Sequence, residues 1–81
     1  MSEKEIRTMY EIKRSFVFAL GKLLGMGMYR VGGLKGLQYA YDMDSREEGV
    51  QLKFEGGAVR EISVTGDSLL AILKDIVKVL D

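Results

Sequence analysis

The sequence predicts an α+β fold, a single small domain over residues 1–81 in the order α-β-β-β-α, with a three-stranded antiparallel meander packed against two helices. Apolar residues recur at steps of three and four near both ends of the chain, and they alternate with polar residues in the middle. The chain has 81 residues and no Cys or His, so neither disulfides nor a Cys/His metal clip can supplement its core. Oligomerisation is an expected supplement instead.

The first helix is predicted from Glu3 to about Gly25. Its apolar residues follow one another at steps of three and four, which favours a stripe that packs on a core. The residues of this predicted core face are Met9, Ile12, Phe16, Leu20 and Leu23.

The second half of this helix is apolar on nearly all sides, which indicates burial on more than one side, and one small sheet cannot cover both. Gly21 and Gly25 would permit close approach of another backbone, although a loosening helix end is the alternative. We therefore expect a homo-oligomer that uses this helix. The expected interface residues are Phe16, Val17, Phe18, Leu20, Gly21, Leu24 and Gly25.

A glycine-rich connector at 27–36 separates this helix from three predicted strands. Alternating apolar and polar residues place the first strand from Leu37 to Met43 and the second around Val50 to Phe54. Glycines at the tight turn that follows predict a hairpin to a third strand from Val59 to Val64.

The second helix is predicted over residues 68–80. The preceding segment from Thr65 to Ser68 offers side-chain oxygens that can cap free helical amides. Apolar residues then populate one broad face, which is expected to pack on the sheet.

The chain has no net charge, but its charges are unevenly distributed. Residues 12–41 hold five bases and no acid, whereas residues 1–11 sum to −1 and residues 42–81 to −4. This basic middle either forms an exposed patch or packs beside the acidic C-terminal half, within one chain or between subunits.

The residue types argue against an enzyme. Catalysis at neutral pH usually uses His, an activated Cys, or a positioned carboxylate or Lys pair, and the first two are absent. The acidic turn at 42–49 differs from a calcium loop, because Arg46 and Glu47 occupy positions that need an oxygen ligand and a glycine. We expect no metal and no cofactor.

The glycine-rich connector is the strongest candidate for a ligand site. Its glycines let backbone amides approach an anion, two bases supply charge, and nearby tyrosines could stack on a base or peptide. The candidate ligand or partner residues are Tyr29, Arg30, Gly32, Gly33, Lys35, Tyr39 and Tyr41. The segment matches neither a P-loop nor a dinucleotide fingerprint, and an ordinary connector is the alternative.

A cytoplasmic location is expected. The N-terminus carries more charge than a secretory leader uses, and the most apolar run, residues 15–28, is broken by Lys22 and three glycines. We therefore expect no signal peptide and no contact with a membrane.

The segment from Val59 to Leu80, a strand, a Thr-Gly-Asp-Ser turn and a helix, resembles the C-terminal part of short uncharacterised proteins encoded by phages and prophages of Gram-positive bacteria. The resemblance covers about a quarter of the chain and carries no catalytic residue across. It implies an accessory role in a mobile element, in which a small fold occupies a host protein or sequesters a ligand.

These observations favour a non-enzymatic interaction module, a homo-oligomer through the first helix, that binds or inhibits a macromolecular partner such as a host protein. The alternative is a ligand-binding protein that sequesters an anionic nucleotide-like small molecule through the glycine-rich basic loop. Nucleic-acid binding is a third hypothesis, which the zero net charge disfavours.

Overall fold

The computed structural model describes residues 2–25 and 32–81 and confirms the predicted order of elements. The elements are α1 (Glu3–Leu24), β1 (Leu34–Tyr41), β2 (Glu48–Phe54), β3 (Val59–Ser63) and α2 (Leu69–Leu80). Serines begin both helices: the Ser2 hydroxyl accepts from the Glu5 amide, and the Ser68 hydroxyl accepts from the Ala71 amide, each at 3.2 Å. These contacts satisfy amides that have no partner within the helix.

The three strands form an antiparallel meander in the order β1-β2-β3. β1 ends at Tyr41 rather than at Met43, because the Asp42 carboxylate accepts from the Asp44 amide and its carbonyl accepts from the Arg46 amide, which turns the chain. β1 also begins earlier than predicted, at Leu34, across a shift in register before Gly36. The alternating pattern alone does not show this irregular start.

The turn between β2 and β3 depends on two glycines. Gly56 and Gly57 have φ angles of 87° and 89°, which side chains disfavour, and the Phe54 amide donates to the Ala58 carbonyl at 2.8 Å. The predicted hairpin is confirmed.

Both helices contribute to the core on one side of the sheet, while the other side is largely open. The fully buried residues come from α1, β1, β2, the residue that follows β3, and α2, and they form one cluster. They are Val17, Leu34, Val50, Leu52, Val64, Ile72 and Ile76. The opposite side presents Gln38, Ala40, Lys53, Glu61 and Ser63, all exposed. Across residues 2–25 and 32–81, no helix is long and apolar enough to cross a membrane.

The predicted core face of α1 was wrong. Met9, Ile12 and Leu23 are exposed, and Phe16 and Leu20 are only half-buried. The residues that α1 buries are Tyr10, Lys13, Val17 and Gly21. The helix takes this orientation because glycine allows it close to β1 and because the buried lysine finds a carboxylate, as described below.

Candidate interaction surface

α1 carries two rows of residues with helical spacing, which lie about 100° apart around its axis. The inner row faces the sheet and consists of Ile6, Tyr10, Lys13, Val17, Gly21 and Leu24. The outer row, which we call the apolar stripe, consists of Met9, Ile12, Phe16, Ala19 and Leu23.

The apolar stripe exposes large side chains in a line. The exposed fraction is 40% for Met9, 54% for Ile12 and 67% for Leu23, Ala19 is exposed, and Phe16 is half-buried. Single exposed apolar residues are ordinary on protein surfaces, but a contiguous row marks a place where another surface can pack.

The predicted interface residues divide between the core and the surface. Val17 is completely buried within the chain's own core, and Gly21 lies against β1, where an added Cβ would be 3.1 Å from both the Cβ and the amide nitrogen of Leu37. Gly25 faces the carbonyl of Lys35, at 3.2 Å from an added Cβ. The close backbone approach that these glycines permit is therefore to the chain's own strand.

The other predicted interface residues lie elsewhere on α1. Phe16 belongs to the apolar stripe and, like Leu20 and Leu24, is half-buried against the core. Phe18 is exposed on the far side of the helix, where the Lys22 ammonium lies 4.8 Å from its ring centroid. Phe18 is thus separate from the apolar stripe.

A buried polar cluster joins α1 to the sheet. The Lys13 ammonium donates to Glu48 Oε1 at 2.7 Å, the Tyr39 hydroxyl donates to the same oxygen at 2.6 Å, and the Gly66 amide donates to Glu48 Oε2 at 2.9 Å. Only 7% of Lys13 and 5% of Glu48 is exposed. One of the five bases of the basic middle is therefore neutralised inside the fold.

The hydrogen bonds of this cluster hold Glu48 charged and Tyr39 protonated. Burial raises the pKa of the Glu48 carboxyl. The hydrogen bonds from Lys13, Tyr39 and Gly66 lower it by more than burial raises it, so its pKa lies below the ordinary value. Burial first, and then the bond to Glu48, raise the pKa of the Tyr39 phenol.

Asp67, in the turn before α2, lies near Asp75 of that helix. The Asp67 Oδ2 atom is buried and has no hydrogen-bond partner among the described residues. The interaction with the Asp75 carboxyl first, and then burial, raise the pKa of Asp67.

Sequence reasoning missed the buried polar cluster, although one signal of it was present. Lys13 stands three residues after Tyr10 and four before Val17, at the spacing of the inner row. A lysine in that row buries its stem and needs a partner for its ammonium. Its partner Glu48 lies 35 positions away, which no local pattern could indicate.

Among the predicted ligand residues that the structure describes, the two tyrosines pack toward α1 and not with the glycines. Gly32 and Gly33 have positive φ angles of 57° and 75° and precede β1, on which Lys35 is exposed. Tyr39 is buried toward α1 and is occupied by Glu48. Tyr29 and Arg30, the other two, lie outside the described residues.

Tyr41 also packs toward α1. Its ring centroid lies 4.6 Å from that of Tyr10, and the Arg14 guanidinium lies 5.3 Å from the Tyr41 ring. A hydrogen bond with Glu11 is the main cause of a raised pKa of the Tyr41 phenol. Both strand tyrosines thus hold α1 in place.

The open side of the sheet contains two shallow grooves. The larger, of about 680 Å³, is lined by polar residues that include Gln38, Gln51 and Glu61. The smaller, of about 440 Å³, lies where β1 meets the β2–β3 turn and is lined by Lys35 and Lys53. The Lys53 ammonium donates to Gln38 Oε1 at 3.0 Å. Sequence reasoning did not connect Lys53 with Lys35, because the register of the strands brings them together.

Within the described part of the chain, no three carboxylates are grouped so that they could hold a metal ion. Comparisons with protein-family models, curated proteins and solved structures found no match to this chain.

Proposed function

We propose that this protein is a non-enzymatic interaction module whose contact surface is the apolar stripe of α1. The observation that carries the proposal is the exposure of Met9, Ile12 and Leu23 in one row on a helix whose inner row already packs on the sheet. Covering such a row with a second apolar surface removes it from water, which gives about 25 cal/mol for each Å² of apolar area.

The support beneath the apolar stripe favours binding. Lys13 links α1 to Glu48 in β2, and Gly21 brings the helix against β1. The helix that carries the stripe is therefore fixed to the sheet at two positions, residues 13 and 21. A surface that is already ordered loses little conformational entropy when it binds. The resemblance of residues 59–80 to phage and prophage proteins implies a role in a mobile element, with a host protein as a candidate partner.

The test is photocrosslinking in cells, with a benzophenone amino acid in place of one residue at a time. At Ile12, in the apolar stripe, we expect adducts of higher mass than the 9.1 kDa chain. The matched control is Lys74, which is exposed on α2, and we expect no adduct there. If Ile12 gives no more adduct than Lys74, the proposal is wrong.

A second candidate function is binding of an anionic small molecule in the smaller groove, where Lys35 and Lys53 stand together beside Gly57. Two ammonium groups at one groove attract phosphate or carboxylate groups, and the adjacent glycines leave room for close approach. This arrangement retains Lys35 from the predicted ligand residues and replaces the buried Tyr39 with Lys53.

Isothermal titration with pyrophosphate and with AMP tests this second candidate. If the groove binds anions, the double variant Lys35→Gln/Lys53→Gln loses the heat of binding, because neither glutamine supplies a charge. The control Lys74→Gln/Lys78→Gln removes two exposed lysines of α2 and keeps the binding. Equal loss in both double variants, or no heat with the wild type, would exclude the groove as the site.

A further inference from the structure

The apolar stripe has the spacing of a two-helix seam. Its members, Met9, Ile12, Phe16, Ala19 and Leu23, follow one another at intervals of three, four, three and four residues. These are the a and d positions of a heptad, a narrower stripe than the broad face that a helix turns toward a globular core. The spacing therefore favours another long helix as the occupant.

The sizes of these side chains favour an antiparallel pairing of two α1 helices. With a two-fold axis near residue 14, Met9 of one copy faces Ala19 of the other, and Ile12 faces Phe16, so each layer combines a larger and a smaller side chain. A parallel pair would place Ala19 against Ala19 and Phe16 against Phe16. The alanine layer would leave a void and the phenylalanine layer would be crowded, and both are destabilising.

The charges at the two ends of the stripe favour the same direction. Glu5 lies four residues before Met9 and continues the spacing of the stripe, and Lys22 stands one residue before Leu23, on the side of the helix that carries Phe18. The two-fold axis that pairs residue 9 with residue 19 also pairs Glu5 with Leu23, so the Glu5 carboxylate lies in that end layer, about one residue along the axis from Lys22 of the second copy. In a parallel pair two Glu5 side chains share one layer, which is repulsive.

We propose that the apolar stripe is an interface between two copies of this chain, packed as an antiparallel α1 pair about a two-fold axis near residue 14. The inference rests on the proposed function, because it names the partner that the stripe binds. α2 also carries a row at intervals of three, four and three residues, formed by the exposed Leu70 and Val77 and the half-buried Leu73 and Leu80. That row has four members on a helix of 12 residues, against five members on the 22 residues of α1, so α1 offers the longer seam.

Disulfide trapping tests the arrangement, since the chain contains no Cys. Met9→Cys and Ala19→Cys replace exposed residues, and each variant is incubated alone and mixed with the other in a glutathione redox buffer. In the antiparallel pair the mixture forms a disulfide dimer between positions 9 and 19. Each variant alone does not, because equivalent positions lie about 15 Å apart along the axis, beyond the reach of about 7 Å between Cα atoms in a disulfide.

Other outcomes overturn the proposal in distinguishable ways. Disulfide dimers of each variant alone would indicate a parallel pair. As a control, Leu70→Cys on α2 mixed with Ala19→Cys should give no dimer, and a dimer there would indicate a different interface. If no mixture forms a dimer while Ile12 crosslinks to a protein of another mass in cells, self-association is wrong and the proposed function stands. If Ile12 gives no adduct either, both fail.

Discussion

Lys13 is a charged residue at the centre of the inner row of α1, between Tyr10 and Val17. Taking an ammonium and a carboxylate out of water costs several kcal/mol for each ion, and the fold offsets this cost with close hydrogen bonds to Glu48 from three donors. Once the cluster exists, removing one charge leaves the other buried without compensation.

Lys13→Met is therefore expected to lower the free energy of unfolding by about 3 kcal/mol at neutral pH, as other broken buried ion pairs do. Arg14→Met is the matched control, because its ion pair with Glu11 is exposed and should contribute less than about 1 kcal/mol. Urea unfolding monitored by circular dichroism measures both. Equal losses in the two variants would mean that Lys13 is not held as the structure describes.

The pH dependence of this loss has a definite sign. The folded-state pKa of Glu48 lies below its ordinary value, so its contribution is present above about pH 4.3 and is lost as the pH falls through the folded pKa. The difference between the wild type and Lys13→Met should therefore shrink toward acid.

The contribution of Asp67 to stability depends on pH with the opposite sign. Its pKa is raised by Asp75, so its contribution to stability is complete below the ordinary aspartate pKa of about 3.9 and is lost as the pH rises through the folded pKa. Asp67→Asn does not titrate, and its stability relative to the wild type should rise between about pH 3 and pH 7. Asp44→Asn, in an exposed turn, is the control. A relative stability of Asp67→Asn that is constant or falls with pH would contradict the raised pKa of Asp67.

At the scale of elements, the contact between α1 and β1 depends on the absence of a side chain at Gly21. A Cβ there would lie 3.1 Å from the backbone nitrogen of Leu37, which a strand cannot easily move. Ala improves helix propensity by about 1 kcal/mol, but overpacking costs typically 1 to 3 kcal/mol. We expect Gly21→Ala to lower the midpoint of thermal unfolding and Ser15→Ala, on the exposed side, to leave it unchanged or raise it. A higher midpoint for Gly21→Ala would show that α1 lies farther from the sheet.

α2 is attached to the core by two isoleucines. Ile72 and Ile76 are fully buried, whereas Val77 is half exposed. Ile76→Ala should lower the free energy of unfolding by about 2 to 5 kcal/mol, as large-to-small core changes do, and Val77→Ala by less than about 1 kcal/mol. Chemical denaturation of both variants measures the two losses in free energy of unfolding. Similar small losses would mean that α2 is not packed on the sheet.

Local sequence signals predicted most of the elements. The Thr65–Ser68 turn placed α2, and the paired glycines placed the hairpin at 56–57, because each acts through its own backbone. The bounds of β1 were less accurate. β1 starts at an irregular register with β2, and it ends at the turn that Asp42 forms. Neither feature is part of the alternating pattern that predicted the strand.

At the scale of the whole molecule, the sequence could not decide which side of α1 is buried. Both rows have helical spacing, and the apolar stripe is the more hydrophobic of the two, so four of its members, Met9, Ile12, Phe16 and Leu23, were predicted on the core face together with Leu20. The structure instead buries the row with Tyr10, Lys13 and Gly21, because β1 requires a close approach and Glu48 supplies a charge. Both requirements arise from residues distant in sequence.

The candidate surface follows from that orientation. Ile12 and Leu23 were predicted on the core face and Phe16 both there and at the interface, and the structure places all three in one row. A helix with more apolar residues than one core can bury predicts an interface. Which of those residues form the interface depends on the orientation of the helix in the fold.

Sedimentation equilibrium at micromolar concentration tests the central claim, that the apolar stripe joins two copies of the chain. The wild type should sediment at twice the chain mass of 9.1 kDa. Ile12→Gln, in the stripe, should shift the population to monomer, while Leu70→Gln, at a similarly exposed position on α2, should leave the dimer intact. A wild type that sediments only as monomer, or a dimer that Leu70→Gln dissociates and Ile12→Gln does not, would contradict the claim.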